Sequence, residues 1–508
     1  MRFAVVVGLL TALRLYVMTQ VPLTGDEAYY WQWSQHLALG YYDHPPMVGW
    51  VIAMFTWIFG TSVFSARLAG PLSSAVTALI VYRLAREISE QQRVALLAGS
   101  LVLTAPLLSV GALAITPDTL LLPAWAACVL LLYRALFEDN RRAWWWAGVV
   151  LGIGILSKFT AFLLIPLLFA FLGTSPTHRQ WLRRREPYVF VLIGTAVASP
   201  LFWWNATHGW QTFVYQATLR LGHVELAGPP GVRHLADFLV QQAIMQSPVV
   251  FALAVFVVVR GLMGAGRDPR PVFLATFGGG IVACFTLMSL YAPVRGHWPI
   301  AGYPILMIAI AWWHFRLGTP YRATVIAGLI VAVATTSAAY AVLVRPQILF
   351  DFVSAYAVKN RTVNQGNTLR AENLAEIFGY EGAAEYLRGV VAEMNEQGPT
   401  FVVTDSYALS SVLAFYSGIE THVLGGSVMG RAYAEWDRFD TLAGRDGVFV
   451  DLAPYGARRG IVALLSGACQ RVEGDPPVRL FVGVQPIRPF YFIRCYGFRP
   501  AGVDVRPR

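Results

Sequence analysis

The chain has 508 residues, of which 56% are hydrophobic and only 13% charged, about half the charged share of an ordinary soluble domain. No single soluble core uses so many apolar residues, whereas a bilayer takes up about 20 per crossing. The net charge of +10 does not speak for nucleic acid, because the arginines fall between apolar runs instead of gathering on one soluble surface.

Taken in chain order, the apolar runs predict about eleven membrane spans, near 3–22, 63–84, 94–116, 119–137, 143–157, 159–173, 188–204, 239–260, 272–292, 298–315 and 323–344. The first run lacks a small-residue cleavage site and is interrupted by Arg14, so it reads as a retained signal anchor. Alternate loops are rich in arginine: Arg83, Arg86 and Arg93; Arg134, Arg141 and Arg142; Arg179 and Arg183–Arg185; Arg260, Arg267 and Arg270; Arg316 and Arg322. Positive loops stay inside, so residues 23–62, the tip near Asp118, residues 205–238, residues 293–297 and the C-terminal region are expected outside. The expected organisation is a mostly α, polytopic membrane domain over 1–344 and an outer α/β domain over 345–508.

In that tail, Phe401-Val402-Val403 reads as a strand and Ser410–Tyr416 as a helix. Gly447–Asp451, Val478–Val484 and Phe490–Cys495 read as further strands, with Arg458–Ser466 helical. Gly425, Gly426 and Gly430 fit turns, and no phosphate-loop or dinucleotide fingerprint occurs. Cys128 and Cys284 lie in apolar runs. Cys469 and Cys495 lie in the tail, where export would allow them to pair.

Residues 23–62 hold the densest chemistry. They read Thr24-Gly25-Asp26-Glu27-Ala28-Tyr29-Tyr30-Trp31 and, further on, Gly40-Tyr41-Tyr42-Asp43-His44-Pro45-Pro46, with His36 between. Carboxylates beside a membrane need partners, and carboxylates among aromatics suit a sugar, with flat faces for the ring and acceptors for hydroxyls. The alternative is an interfacial aromatic belt with solvated acids. The two prolines make a rigid presenting turn. Lys158 interrupts two apolar runs, where an ionisable group defaults to function; the alternative is a side chain snorkelling to the interface. Asp43 and His44, with His297 as a third ligand, form a candidate divalent-metal set; the alternative is an exposed polar pair. Asn205-Ala206-Thr207 is a formal glycosylation sequon, read as incidental, and Trp203, Trp204 and Trp210 as an interfacial belt.

Asp-Glu after the first span, a Pro-Pro turn before the second and an outer C-terminal domain together resemble the GT-C glycosyltransferases. Within them the chain is most similar to the bacterial branch of family 39 and the aminoarabinose-transferase-like enzymes. Thr116-Pro117-Asp118-Thr119-Leu120, the glycine-rich Leu151–Lys158, Gly296-His297-Trp298-Pro299 with Tyr303-Pro304, Asp405-Ser406-Tyr407 with Phe415-Tyr416, and Tyr433 with Trp436 carry the same resemblance. Two positions depart from it. Tyr29 stands where that branch has an arginine, and His44 where it has a lysine, so contacts to a carrier phosphate are expected elsewhere.

The resemblance implies transfer of a sugar from a polyprenyl-phosphate donor to an envelope acceptor (lipid A, another glycolipid, a polysaccharide or a protein), with inversion. Asp26 would be the catalytic carboxylate, with Glu27 and Asp118 as further catalytic acids. Both have helix-start alternatives. His44, Lys158 and Arg295, with Tyr29 and Tyr41, would contact substrate and carrier phosphate; Arg220 and Arg233 are further cations on that side. No cofactor is required unless the metal set is real. The rival readings are a lipid-linked sugar flippase or transporter, which should place charges at mid-membrane, and a non-catalytic glycolipid-binding envelope protein.

Overall fold

The structure is a computed structural model that describes residues 2–219, 231–263, 268–348, 378–424, 432–452, 465–482, 485–486 and 489–500. Arg220, Arg267, the glycines at 425, 426 and 430, most of the helix expected at 458–466 and the end of the strand expected at 478–484 lie outside the described residues. The chain forms two compact units. One comprises Met1–Thr19 with Leu37–Tyr340, the other Gln20–His36 with Ala341–Arg508. From sequence, residues 23–62 are expected together as an outer loop of the membrane domain. In the structure residues 20–36 belong instead with the C-terminal part.

In the first unit, each of the eleven expected segments is helical. Among the described residues five helices are long and apolar enough to cross a bilayer unbroken: Arg2–Thr19, Val63–Ser89, Pro117–Phe137, Pro269–Met288 and Thr319–Val344. Two further helix pairs pass the same test only together and are bent, Glu186–Val197 with Ser199–Thr207 at 54° and Val232–Gln246 with Pro248–Met263 at 110°. Among the described residues length and composition therefore give five to seven spans where eleven are expected from sequence. Proline opens the second half of each pair or follows its first residue, where the missing N–H cannot continue the ladder. Residues 37–62, expected as loop, contain the apolar helix Met47–Phe59. At 13 residues it is about 20 Å long, too short to be read as a span. It leaves Trp57 86% exposed.

Two features set the packing. Helix Arg141–Ser157 lies against Pro117–Phe137 and Glu186–Val197. Side chains at Gly148 and Gly152 would collide with Ile193 and Val197, so this small-xxx-small pair brings the backbones together. The second feature is Arg14, only 1% exposed. Helix Gln92–Thr104 breaks before Pro106, which strands carbonyls in apolar surroundings. Arg14 Nη2 donates to the Leu103 carbonyl at 2.6 Å and to Ser109 Oγ at 3.2 Å, its Nη1 to Ser74 Oγ and its Nε to Tyr340 Oη. The Thr336 hydroxyl takes up the Thr104 carbonyl. The charge that interrupts the first span is thus a cap on the carbonyl end of a broken helix.

The second unit carries strands β1 (Phe401–Thr404), β2 (Thr421–Val423), β3 (Gly447–Asp451), β4 (Arg471–Gly474), β5 (Phe481–Val482), β6 (Gln485–Pro486) and β7 (Tyr491–Tyr496). The main sheet runs β2-β1-β3-β7-β4. β1 is parallel to both β2 and β3, and β7 is antiparallel to β3 and β4. Helix Tyr407–Ser417 makes the crossover from β1 to β2. One face of the sheet is closed by Tyr380–Asn395 and the crossover helix, whose apolar stripes meet Val402, Val448, Val450 and Phe492. Cys469 and Cys495 form a disulfide across 26 residues, within a second apolar cluster that contains Phe401, Phe449 and Phe498.

Cys469→Ser with Cys495→Ser is expected to destabilise the second unit by roughly 3 kcal/mol, the loop-closure value for such a separation, read as a fall in the melting temperature of the non-reduced protein. Arg14→Met is expected to lower the melting temperature of the detergent-purified protein by about 3 °C or more. Arg14→Lys, which keeps the charge but not the planar fork, should recover only part of it.

Candidate active site

In the second unit, helix Gly25–Gln35 begins with a capping box. Thr24 Oγ1 accepts from the Glu27 amide at 3.3 Å, and Glu27 Oε2 accepts from the Thr24 amide at 3.1 Å. Glu27 is 1% exposed, so its side chain serves the helix start, the alternative weighed for it from sequence. Asp26, one residue earlier and about 100° around the helix, is exposed. Its Oδ1 accepts a 2.8 Å hydrogen bond from Tyr407 Oη.

Tyr407 opens the helix that follows β1, with Ser406 as N-cap. The chain leaves β1 for β2 on one side while β3 lies on the other, and ligands of parallel sheets bind outside the carboxyl ends of the strands at such a switch point. A side chain at Gly25 would run into Ala408, so glycine is what lets the two helices approach. Tyr29 does not offer an open face. It is 1% exposed and packs edge-on against Tyr407 at 4.9 Å and against Trp33 at 5.1 Å. It also stacks on Tyr433, whose hydroxyl meets Ser411 Oγ at 2.7 Å. His36 stacks on Trp436 at 4.5 Å, and burial holds its imidazole below the ordinary value against the opposing pull of Glu420 and Asp437.

In the first unit, Lys158 is an extended residue between helix Arg141–Ser157 and the 3-10 turn Phe159–Leu163. Its Nζ lies 2.6 Å from Asp118 Oδ1, and both side chains are largely buried. Asp118 stands in the first turn of Pro117–Phe137, where the helix dipole favours a carboxylate. Lys158 and His44 line a cavity of about 270 Å³ whose other walls are Phe159, Thr160, Leu163, Gln216, Cys284, Phe285, Met288 and Trp298. The cavity is therefore apolar with basic groups in its wall.

The Gly40–Pro46 turn is a buried structure. The Tyr41 amide donates to the His44 carbonyl, the Tyr41 carbonyl accepts from Thr212 Oγ1 and the Asp43 carbonyl accepts from Gln216 Nε2. Tyr41 is 3% exposed, its hydroxyl accepts from the Ala38 amide, and burial pushes the phenol well up. This turn shapes the wall that carries His44.

Arg295 is exposed and does not line the cavity. The adjacent Gly296 is clamped by Gln241 and Gln242, which seats Trp298 in the wall. Arg233 is also exposed. Among the described residues no three His, Cys, Asp or Glu side chains converge on one point. Asp43, His44 and His297 therefore do not form the expected metal set, and no step is assigned to a metal. Asn205 is fully buried, donates to the Leu201 carbonyl and accepts from the Thr212 amide, so the sequon is spent on structure. Sequence reasoning missed Tyr407 as a partner of Asp26, and Gln216, Phe285 and Met288 as cavity walls. For Tyr407 the available signal was its place directly after a strand and a capping serine.

Residues 43–204 match the dolichyl-phosphate-mannose-protein mannosyltransferase family. The chain is 26% identical to the lipid A galacturonosyltransferase RgtD of Rhizobium johnstonii over 75% of each chain. It is 25% identical to the undecaprenyl phosphate-alpha-4-amino-4-deoxy-L-arabinose arabinosyl transferase of Pectobacterium atrosepticum, over 40% of this chain and 37% of that one. Its fold is similar to that of ArnT from Cupriavidus metallidurans bound to undecaprenyl phosphate, with a TM-score of 0.63 at 16% identity, covering 96% of this chain and 97% of that one. The chain is thus similar to PMT-like bacterial glycosyltransferases of the GT-C class, and it shares the fold of ArnT. It is a multi-pass membrane enzyme with a small α/β sheet region toward its C-terminus.

Glu27→Ala is expected to cost about 1 kcal/mol of stability while leaving turnover within a few-fold. Tyr407→Phe, which keeps the ring against Tyr29, is expected to keep the melting temperature and KM but lower kcat about tenfold, the scale of one hydrogen bond to a charged group. Thermal melts beside steady-state kinetics separate the two.

Proposed function

We propose that this enzyme transfers a sugar from a polyprenyl-phosphate carrier to lipid A or a related envelope acceptor at the outer face of the inner membrane. The observation that carries this reading is a lysine buried within the membrane unit and aimed by an acid at an apolar cavity: Lys158, held by Asp118 at 2.6 Å, beside His44. An ammonium in such surroundings is costly and suits a ligand that is itself half apolar chain and half anion.

In the reaction the bond from the anomeric carbon to the carrier phosphate oxygen breaks, and its electron pair leaves with the phosphate. The acceptor oxygen forms the new bond from the opposite face. Lys158 and His44 supply positive charge where the phosphate charge grows. Asp118 fixes the ammonium, which has three N–H groups to direct. Asp26 takes the acceptor proton if the acceptor is a hydroxyl. If the acceptor is a phosphate it is already an anion, and Asp26 positions it. Tyr407 orients that carboxylate.

Two features support an outward-facing second unit. Its disulfide fits an oxidising compartment, and the arginine-rich turns lie in the alternate loops, which stay inside. The similarity to a lipid A galacturonosyltransferase makes lipid A the first acceptor to try.

Purified protein in liposomes, with a panel of polyprenyl-phosphate sugars and an envelope-lipid extract, is expected to yield a product one sugar heavier by mass spectrometry. Asp26→Asn should reduce it at least about 100-fold. Lys158→Met should abolish it and also destabilise the fold, because it leaves Asp118 buried alone. Adding Asp118→Asn should restore stability without activity. Full transfer by Asp26→Asn, or by the folded double variant, would sink the assignment.

A further inference from the structure

The ends of five helical elements of the first unit bring arginines together around three aromatic rings. Arg316 lies 4.2 Å and Arg270 5.5 Å from the ring centre of Trp312. Arg260 lies 5.3 Å from that of Trp313, and Arg93 4.7 Å from that of Phe315. Arg322 joins them through a hydrogen bond to the His314 carbonyl. Asp268 neutralises Arg270. Among the described residues Arg93, Arg260, Arg316 and Arg322 have no carboxylate in salt-bridge range, and all four are exposed. Burial, and then the nearby Arg270, hold the Arg316 guanidinium below its ordinary value, with Asp268 acting the other way. Cation–π stacking fixes a guanidinium plane and leaves its N–H edge for an oxyanion.

An excess of arginine on one membrane side is ordinary and alone would mean no more than topology. Two features go further. The cations come from separate elements onto one short aromatic segment, Trp312–Phe315, and they adjoin an exposed apolar stripe. On helix Pro248–Met263, Phe256, Val259, Arg260 and Met263 follow the i, i+3, i+4, i+7 spacing of one face. The three apolar members are exposed, Met263 at 79%. Phe256 meets Tyr321 at 5.3 Å, which ties this face to helix Thr319–Val344 with its exposed Ile326. The surface is charged at its end and apolar along its length.

We propose that this surface is a binding site for an anionic glycerophospholipid, with the phosphate between Arg260 and Arg316 and the acyl chains along the Phe256–Met263 stripe. Free phosphate would use the arginines alone, whereas a phospholipid places its headgroup on the arginines and its chains on the adjoining stripe at once, so the lipid is the occupant the surface fits. The site lies at the opposite end of helix Tyr303–His314 from Trp298 and the cavity, about 18 Å away along a helix of this length. It is independent of the proposed transfer reaction.

The test is native mass spectrometry of the full-length protein in detergent, titrated with phosphatidylglycerol, cardiolipin or phosphatidylcholine. The anionic lipids are expected to give half-maximal adduct at about tenfold lower concentration than phosphatidylcholine. Arg260→Gln with Arg316→Gln should erase that preference, whereas Arg141→Gln with Arg142→Gln, at another turn, should keep it. Millimolar inorganic phosphate should not displace the lipid. A photoactivatable phosphatidylglycerol on the unmodified protein should label 256–263 and 316–326, which decides the matter even if the variant misfolds. Equal binding of charged and zwitterionic lipid, an unchanged preference in the Arg260/Arg316 variant, displacement by phosphate, or labelling confined elsewhere would each overturn the site.

Discussion

In a hydrocarbon environment water does not supply partners for backbone groups, so every interruption of a helix must be repaired by the protein itself. Much of the buried polar chemistry of the first unit lies at such repairs. Arg14 and Thr336 take up the carbonyls freed before Pro106. Asn205 secures the end of a bent pair by accepting from the Thr212 amide and donating to the Leu201 carbonyl. Gln241 and Gln242 hold the non-helical turn at Gly296, and Tyr303 completes the Gln242 amide at 2.7 Å. The breaks cost helix continuity, and these side chains make them single, defined geometries.

The cavity is built at one of the breaks. Helices Pro117–Phe137 and Arg141–Ser157 form an antiparallel hairpin, so the start of the first and the end of the second lie at the same level. That geometry brings Asp118 to Lys158 across 40 positions of sequence. Glycine at 148, 152 and 194 keeps Arg141–Ser157 close to the helix on its other side. Helix packing, not local chemistry, therefore places an ammonium in an apolar wall, and the carboxylate makes its charge tolerable there.

The second unit solves a different problem with water available. Its parallel strands need a crossover helix, and the start of that helix is where Tyr407 meets Asp26. Neighbouring acids in Asp26-Glu27 have opposite fates because a helix turns its side chains by about 100° per residue. Glu27 points back to close the capping box, while Asp26 points out. The aromatic residues around them supply the packing that holds this helix against the sheet domain, and so support the site without forming an open sugar platform.

Length, hydropathy and arginine spacing carried the class of the protein, because crossing a bilayer imposes runs of apolar residues that no other constraint imitates. Helix-start signals at Thr24 and Thr116 were also legible, since capping is local. The breaks before Pro106 and Pro248 fall inside segments 94–116 and 239–260, which the hydropathy alone reads as continuous spans. The apolar helix Met47–Phe59 passed as loop because it is too short for a span. What only the tertiary structure decided were pairings across long separations: Arg14 with Leu103, Lys158 with Asp118, Asp26 with Tyr407, and the failure of His297 to join Asp43 and His44. Local sequence sets which helix a side chain rides on and which way it faces. Which partner it meets depends on how distant helices pack, and that is settled only when the whole chain is folded.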